Sequence, residues 1–388
     1  MAYFIHSQQI FFPDRPRAGY LEITDQGRFG RFLPAGTVPT GEIYEAEDLI
    51  VAPGLVDTHI HGLLGTDVMQ NDWAGINKIS QGLLKAGVTS WLPTTITAPK
   101  KELLAICQTF AYHRGQETGA RIQGLHFEGP YFTPQKAGAE NPQYMTDPDW
   151  EEFCSWQKAS ANLLCKISLA PERAGSFTFI KKASAHGVTV SLGHSNCDYA
   201  CAQKAVQEGA SMFTHTFNGM PALTHRQPTL ANAALTLDGT FSEIICDGHH
   251  VDPTLIKALI KTKGSDQVVL VTDCMQAGAM PDGDYYLGEL PVYVQDGMAR
   301  LKKGNNLAGS ILLLKDAVKN LVDWGLASPF AAVKMATLTA ARSVHLQNRC
   351  GQIKAGQQAD LVLFDSQMQL VATFLGGKKA WMTPGSKI

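Results

Sequence analysis

The chain lacks any apolar run close to the roughly 20 residues that a membrane-spanning helix needs. It also lacks clusters of lysine or arginine, and its formal net charge is only -2. These absences argue against a membrane partner and against nucleic acid, since both are held through blocks of positive charge. The eight cysteines form no CxxC pair. In a chain of 388 residues they are expected to be free, buried thiols in a reducing compartment. The opening residues, Met1 to Gly19, show no charged segment followed by an apolar one, so no export signal is expected and the predicted location is cytoplasmic. No internal repeat and no low-complexity linker stands out. What is present is an ordinary globular balance, 45% hydrophobic and 18% charged, in a length that suits one large domain or two.

Residues 1–50 carry short alternating or apolar runs (Tyr3-Phe4-Ile5, Ile10-Phe11-Phe12, Tyr20 to Ile23, Glu42 to Ala46) punctuated by Gly27, Gly30 and Gly36, which predicts a small β module. From Leu49 the pattern changes to apolar strand-like runs alternating with helical spacing. The strands expected are Leu55 to His59, Val88 to Thr94, Ile122 to Glu128, Cys165 to Ala170, Thr189 to Gly193, Ser211 to His215, Glu243 to Asp247 and Val268 to Asp273. Helices are expected over Asn77 to Ala86, Thr178 to His186, Tyr199 to Glu208, Pro253 to Thr262, Ile311 to Trp324 and Pro329 to Ala341. Eight strands alternating with helices predict an α/β fold, a (β/α)8 TIM-like barrel over 51–345, with a β insertion near 284–301. A doubly wound sheet is the alternative, and polar residues at most strand ends favour the barrel. Strand patterns return after Gly351, so 1–50 and 346–388 are expected to build one small β-sandwich from both chain ends.

Barrel chemistry sits at the C-terminal ends of the strands. Strand one carries Asp57-Thr58-His59-Ile60-His61, where His59 and His61, two apart, point to one side. Chance alone gives about 0.4 such His spacings in a chain of this composition, so the pair needs company. Company is there: Glu128 ends strand three, His194 strand five, His215 strand six and Asp273 strand eight, while Asp247 and His250 follow strand seven. Imidazoles and carboxylates in this mixture are ligands for zinc or iron, zinc foremost, and one or two divalent ions could be held. Any one of these residues could be a satisfied polar contact; six at successive strand ends of one barrel are hard to explain that way. Asp273 is the candidate for proton transfer, or simply a further ligand. Strand four ends Ala170-Pro171-Glu172 with no lysine, and Lys166 lies near its start, so a carbamylated lysine is not expected and Glu128 is left to bridge or bind. Arg226 is either an anion clamp or a solvated surface residue.

Read together, the phrases PGLVDTHIHG (Pro53 to Gly62), HFEGPYF (His126 to Phe132), GHS (Gly193 to Ser195), THTFNGM (Thr214 to Met220), HRQP (His225 to Pro228), DGHHV (Asp247 to Val251), TDCMQAGAMPDG (Thr272 to Gly283) and LAGS (Leu307 to Ser310) resemble the N-acetylglucosamine-6-phosphate deacetylases of the amidohydrolase superfamily. SWLPTT (Ser90 to Thr95), EGPYFTPQ (Glu128 to Gln135), DGHHV and the AMPDG phrase are closest to the branch acting on N-acetylgalactosamine 6-phosphate. The resemblance implies hydrolysis of the acetamide of an N-acetylhexosamine 6-phosphate. It implies a principal metal site at Glu128, His194 and His215, a second at His59 and His61 that only some members have, and Asp273 as the catalytic acid and base. It further implies substrate contacts from Asn218, Gly219, His250 and the loop Leu307, Ala308, Gly309. It also implies a homodimer in which Arg226 reaches the neighbouring active site. One departure stands out: Glu140 occupies the place where the family carries a histidine that contacts substrate. An ionised carboxylate cannot donate a hydrogen bond to a carbonyl. That departure keeps a second reading open, an amidohydrolase acting on an unphosphorylated N-acetyl sugar or another N-acyl or cyclic amide. A third reading, a non-catalytic scaffold, expects missing ligands, and none is missing.

Overall fold

Eight parallel strands form the centre of the structure, a computed structural model that describes residues 1–385. They are Leu55–Ile60, Val88–Thr95, Leu125–Glu128, Leu164–Leu169, Thr189–Leu192, Met212–Phe213, Phe241–Ile244 and Val268–Leu270, called barrel strands one to eight below. Each pairs in parallel with the next. A parallel bridge between Ile60 and Cys274 brings the last edge back to the first, so the (β/α)8 barrel is nearly closed. Strand one and strand two are buried along their whole length, as expected of a parallel sheet covered by helices. Asp57 strengthens the seam: its Oδ2 accepts a hydrogen bond from the Thr272 hydroxyl at 2.7 Å.

Helices follow each strand. Their starts are written in the sequence as aspartates: Asp72, Asp149, Asp198 and Asp252 each accept backbone N–H bonds from the first turn that follows. The apolar faces of these helices pack on the barrel with Trp91, Phe127, Trp156 and Phe213 fully buried. Burying a side chain of that size stabilises by about 1.5–3 kcal/mol.

The two chain ends form one mixed sheet, in the order Lys378–Met382, Leu370–Leu375, Leu361–Phe364, Ile50–Pro53, Tyr3–Phe11, Pro16–Ile23, Phe29–Pro34. Glu42–Glu45 lies parallel to Tyr3–His6, while Ile50–Val51 lies beside Gln9–Ile10 on the same strand, beyond a register shift between Ser7 and Ile10. The expected sandwich is therefore a single hydrogen-bonded sheet around its own apolar cluster, which includes Ile5, Ile10, Leu21, Val51, Leu361 and Phe374. It is tied to the barrel by Arg121, whose Nε donates to the buried Asp360 carboxylate at 3.0 Å. After strand eight, Gly283–Leu287, Leu290–Gln295 and Met298–Leu301 form the expected β insertion as a three-stranded antiparallel sheet.

Several expectations shift in detail. Ile50–Pro53 pairs in the chain-end sheet, so the barrel starts at Leu55. Strand three is interrupted at Gln123-Gly124, where a side chain on Gly124 would run into Cys165 Sγ. Strand seven lies earlier than expected, at Phe241–Ile244, which puts Glu243 inside the barrel. The expected helix Pro329 to Ala341 is two, Pro329–Met335 and Leu338–Ser343, broken at Thr337. Helices Lys100–Tyr112, Trp150–Ala159 and Leu230–Thr236 were not expected from the pattern. Of the cysteines, Cys154 is exposed and Cys165 and Cys201 are half-buried, so the thiols are free but not all buried.

Candidate active site

The polar residues of the strand ends meet at one mouth of the barrel. Several bends there need unusual backbone: His194, His215 and Asp273 have positive φ of 45°, 28° and 50°. For residues with a Cβ this conformation is strained, and such strain gathers where side chains must be aimed off the end of a strand.

Glu128 is the hub. Its Oε2 lies 3.2 Å from His59 Nε2 and 3.0 Å from His61 Nε2. Its Oε1 lies 3.0 Å from His215 Nε2 and 3.5 Å from His194 Nε2. Asp273 Oδ1 completes the first group, 3.0 Å from His61 Nε2 and 3.6 Å from His59 Nε2. The ligand atoms of His59, His61, Glu128 and Asp273 lie within 4.8 Å of one another, and so do those of Glu128, His194 and His215.

The second ring nitrogen of each histidine is already committed. His61 Nδ1 donates to Thr94 O at 3.2 Å, His194 Nδ1 to Lys136 O at 2.8 Å and His215 Nδ1 to Asn218 O at 3.1 Å. His59 Nδ1 meets the Glu243 carboxylate at 3.2 Å. A carbonyl can only accept, so the rings of His61, His194 and His215 carry a hydrogen on Nδ1 and leave Nε2, facing the mouth, as the atom that takes up a proton or a metal ion. This is the tautomer of metal-ligating imidazoles. His59 Nε2 is buried and makes no hydrogen bond of its own.

The electrostatics agree with a site that attracts cations. Burial works against charge on His59, yet the Glu128, Asp273 and Glu243 carboxylates outweigh it and push the imidazole up to about 9. His61 is raised in the same way, against burial, by Asp273 and Glu128. Glu128 is held well below the carboxylate range: burial opposes this, and the charges and hydrogen bonds of His59, His194 and His215 prevail. Burial also opposes charge on Asp273, and His59 and His61 still hold it low. His126 differs. Burial and the Lys166 ammonium keep it neutral, and it turns into the barrel towards Ser168 and Thr94. The donor set of imidazole nitrogen and carboxylate oxygen suits one or two divalent ions. Nε2 atoms that face carboxylate oxygens and one another across the mouth fit a cation better than a merely polar pocket would.

A cavity of about 310 Å³ opens above this cluster, at the small end of ligand sites. His61, Glu128, His194, His215 and Asp273 line its floor, and Glu140, Asn218, Gly219, His250, Leu307 and Gly309 line its walls. Gly219 is required there: with φ +64°, a Cβ would press to 3.1 Å from His194 Nδ1. His250 is braced from behind, its Nδ1 2.6 Å from Asp247 Oδ2. Glu140 is buried; its Oε2 accepts the Thr97 N–H at 2.5 Å, and burial together with the Glu128 charge pushes its carboxyl up to about 8.

Two expected contacts lie elsewhere in this chain. Ala308 does not line the cavity, because its side chain is buried in the apolar cluster beneath the β insertion. Arg226 is exposed on the loop after strand six and is not among the lining residues. No lysine or arginine lines the cavity among the described residues.

The structure also brings in residues that the strand-end reading missed. Leu287 of the β insertion and Asn306 line the cavity. Glu172 ties three strand ends together, accepting from Thr133 Oγ1 and Ser195 Oγ at 2.6 Å each and from Asn196 N at 2.7 Å. Lys166 and Glu243 are fully buried and paired below His59. Lys166 thus has a partner away from the mouth, and Glu128 alone joins the two ligand groups. The signal for the pair was in the sequence: a charge in the middle of an apolar barrel strand must find an opposite one.

Comparison with known proteins agrees with this geometry. The amidohydrolase family matches residues 50–381. The N-acetylglucosamine-6-phosphate deacetylase of Vibrio furnissii is 38% identical over 346 residues, covering 89% of this chain and 84% of that protein. The N-acetylgalactosamine-6-phosphate deacetylase of Escherichia coli O157:H7 is 36% identical over 340 residues, covering 87% and 89%. Among solved structures, a variant of the N-acetyl-D-glucosamine-6-phosphate deacetylase of Mycobacterium smegmatis, in complex with N-acetyl-D-glucosamine-6-phosphate, superimposes with a TM-score of 0.92 at 28% identity, covering 98% of this chain and 99% of that one. The chain belongs to the amidohydrolase family, within the group that holds the N-acetylglucosamine-6-phosphate and N-acetylgalactosamine-6-phosphate deacetylases.

Proposed function

We propose that the protein hydrolyses the acetamide of an N-acetylhexosamine 6-phosphate to the amino sugar phosphate and acetate, in amino sugar catabolism. The observation that carries this reading is the pair of ligand groups joined by Glu128 at the floor of a sugar-sized cavity. Glu128, His194 and His215 would hold one divalent cation, and His59 and His61, with Glu128 and Asp273, a second. The donor set suits zinc first and iron second. A divalent cation at such a site polarises a carbonyl and makes water more acidic.

The chain's own groups account for the rest. Asp273, held ionised beside His61, accepts a proton from the attacking water and returns it to the leaving nitrogen, so that water adds across the amide bond and amine and acetate depart. Its N–H donates to His59 O at 2.9 Å, which fixes the carboxylate over the floor. Asn218, Gly219, His250, Leu307 and Gly309 bound the sugar, and Ala308 supports their loop from below. With no lysine or arginine among the described lining residues, a phosphate at the cavity rim would draw a guanidinium or ammonium from beyond that lining. An exposed Arg226 on a homodimer partner is suited to supply it. A cytoplasmic enzyme fits the free thiols and the absence, among the described residues, of a helix long and apolar enough to cross a membrane.

The Glu140 carboxyl in the cavity wall favours a second reading, an unphosphorylated N-acetyl sugar or another N-acyl substrate. Acetate release from N-acetylglucosamine and N-acetylgalactosamine, each with and without a 6-phosphate, separates the two, with metal content measured on the same sample. Turnover confined to the phosphorylated sugars is expected, and the faster epimer names the branch. Equal turnover of the free sugars would replace the first reading by the second.

A further inference from the structure

Barrel strands four and seven carry one charge each, Lys166 and Glu243, and both residues are fully buried. Interior charges of this kind persist only when paired and hydrogen-bonded. The Lys166 ammonium crosses the barrel interior to Glu243 Oε1 and also donates to Thr58 O at 3.1 Å. The other carboxylate oxygen, Oε2, takes two bonds: His59 Nδ1 at 3.2 Å and the His215 backbone N–H at 3.2 Å. One oxygen thus holds a member of each ligand group. The Nδ1 atoms of His61, His194 and His215 meet neutral backbone carbonyls, and among these four ligand histidines His59 is the one whose Nδ1 meets a carboxylate.

We infer that Glu243 is a positioning residue for the candidate metal centre, with Lys166 as its counter-ion. It locks His59 in the tautomer whose Nε2 faces the mouth, makes that nitrogen a stronger donor, and ties His59 to His215 so that the two ligand groups assemble together. This rests on the metal-dependent reading above. Partners behind metal-ligating imidazoles act in this way, through ring orientation and basicity.

The alternative is that the pair only fills the barrel interior. Three variants separate these: Glu243→Gln, Lys166→Met and the double variant with both. Removing Lys166 alone strands a buried carboxylate and could prevent folding. The double variant keeps the volume, removes both charges and restores the neutral interior. Purified, chelator-stripped proteins are titrated with zinc in a calorimeter, and thermal midpoints, kcat and KM are measured alongside. In both Glu243→Gln and the double variant, zinc affinity is expected to fall about tenfold to a hundredfold. KM should stay within about twofold, and kcat should drop with metal occupancy. The double variant should nonetheless melt close to the parent. Parental zinc affinity in a folded double variant would overturn the inference. So would a parent protein that binds no divalent cation. A parent that binds zinc but turns over none of the four sugars would sink the proposed substrate and leave this inference standing.

Discussion

His194 and His215 aim the same ring atom at each other: their Nε2 atoms are 3.0 Å apart, while each Nδ1 donates to a backbone carbonyl. Two neutral rings in this arrangement present lone pair to lone pair, and a proton or a cation must sit between them or beside Glu128. Stripping the protein with a chelator should therefore abolish turnover and lower the thermal midpoint. Restoring a divalent ion at 100 times its Kd should return about 2.7 kcal/mol of stability. Turnover that survives complete metal removal, checked by elemental analysis, would contradict this.

Asp273→Asn should lower kcat by about a hundredfold to ten-thousandfold, the usual contribution of a positioned acid or base. Its effect on sugar phosphate binding should be small, which equilibrium dialysis can read directly. Near-parental turnover would remove Asp273 from the proton path.

Glu140 makes the stability of the metal-free protein depend on pH. Its carboxyl rises from 4.5 to about 8 through burial and the Glu128 charge. Between those values the folded protein holds a proton that the unfolded chain has released. The stabilising contribution is complete below about 4.5 and is lost as pH rises towards 8. Glu140→Gln should flatten this decline. Thermal midpoints of chelated parent and variant at pH 5, 6, 7 and 8 test it, and parallel slopes in the two proteins would refute it.

Asp360 carries a structural prediction far from the cavity. It accepts from Arg121 Nε at 3.0 Å and from Gly376 N at 2.6 Å, while only 8% exposed. Asp360→Ala leaves both donors without a partner and should cost about 1–3 kcal/mol. Urea unfolding measures the loss, and kcat at 25 °C should not change.

Arg226→Ala should raise KM for phosphorylated sugars with little change in kcat, because a guanidinium answers to the phosphate and not to the reacting amide. Mixing this variant with the Asp273→Asn protein should restore some activity if the arginine serves a partner's cavity. No restoration in a proven mixed dimer would place its action within one chain.

Much of this site was legible in the sequence because its residues fall at successive strand ends, where a barrel puts its chemistry. His59, His61, Glu128, His194, His215 and Asp273 converge as their spacing implied. The pattern places strand seven at Glu243 to Asp247, which sets that carboxylate at a strand start, whereas the strand runs Phe241–Ile244 and holds it in the interior. Position along strand four shows only that Lys166 lies far from the mouth; its reach across the barrel to Glu243 and Thr58 depends on the closed sheet. The helix Leu230–Thr236 is hidden because seven residues are too few to show a period. Arg226 could be named as an anion clamp, and the structure leaves it exposed and outside the cavity lining.

The chain-end sheet sets an order of events on the ribosome. Tyr3 Oη donates to Gly377 O across 374 positions of sequence. At about 5–20 residues per second, roughly 20 to 75 seconds separate the synthesis of those two partners. For most of that interval the opening strand, with Phe4, Ile5, Ile10 and Phe11, has its partners from Pro16–Ile23, Glu42–Glu45 and Ile50–Val51, but the sheet lacks the strand Leu361–Phe364 that pairs with Ile50–Pro53. A nascent chain would therefore hold every cavity residue, the last of them Gly309, while the Ile50–Pro53 edge of its first sheet still waited for Leu361–Phe364, and would need shelter at that open edge more than at its active centre.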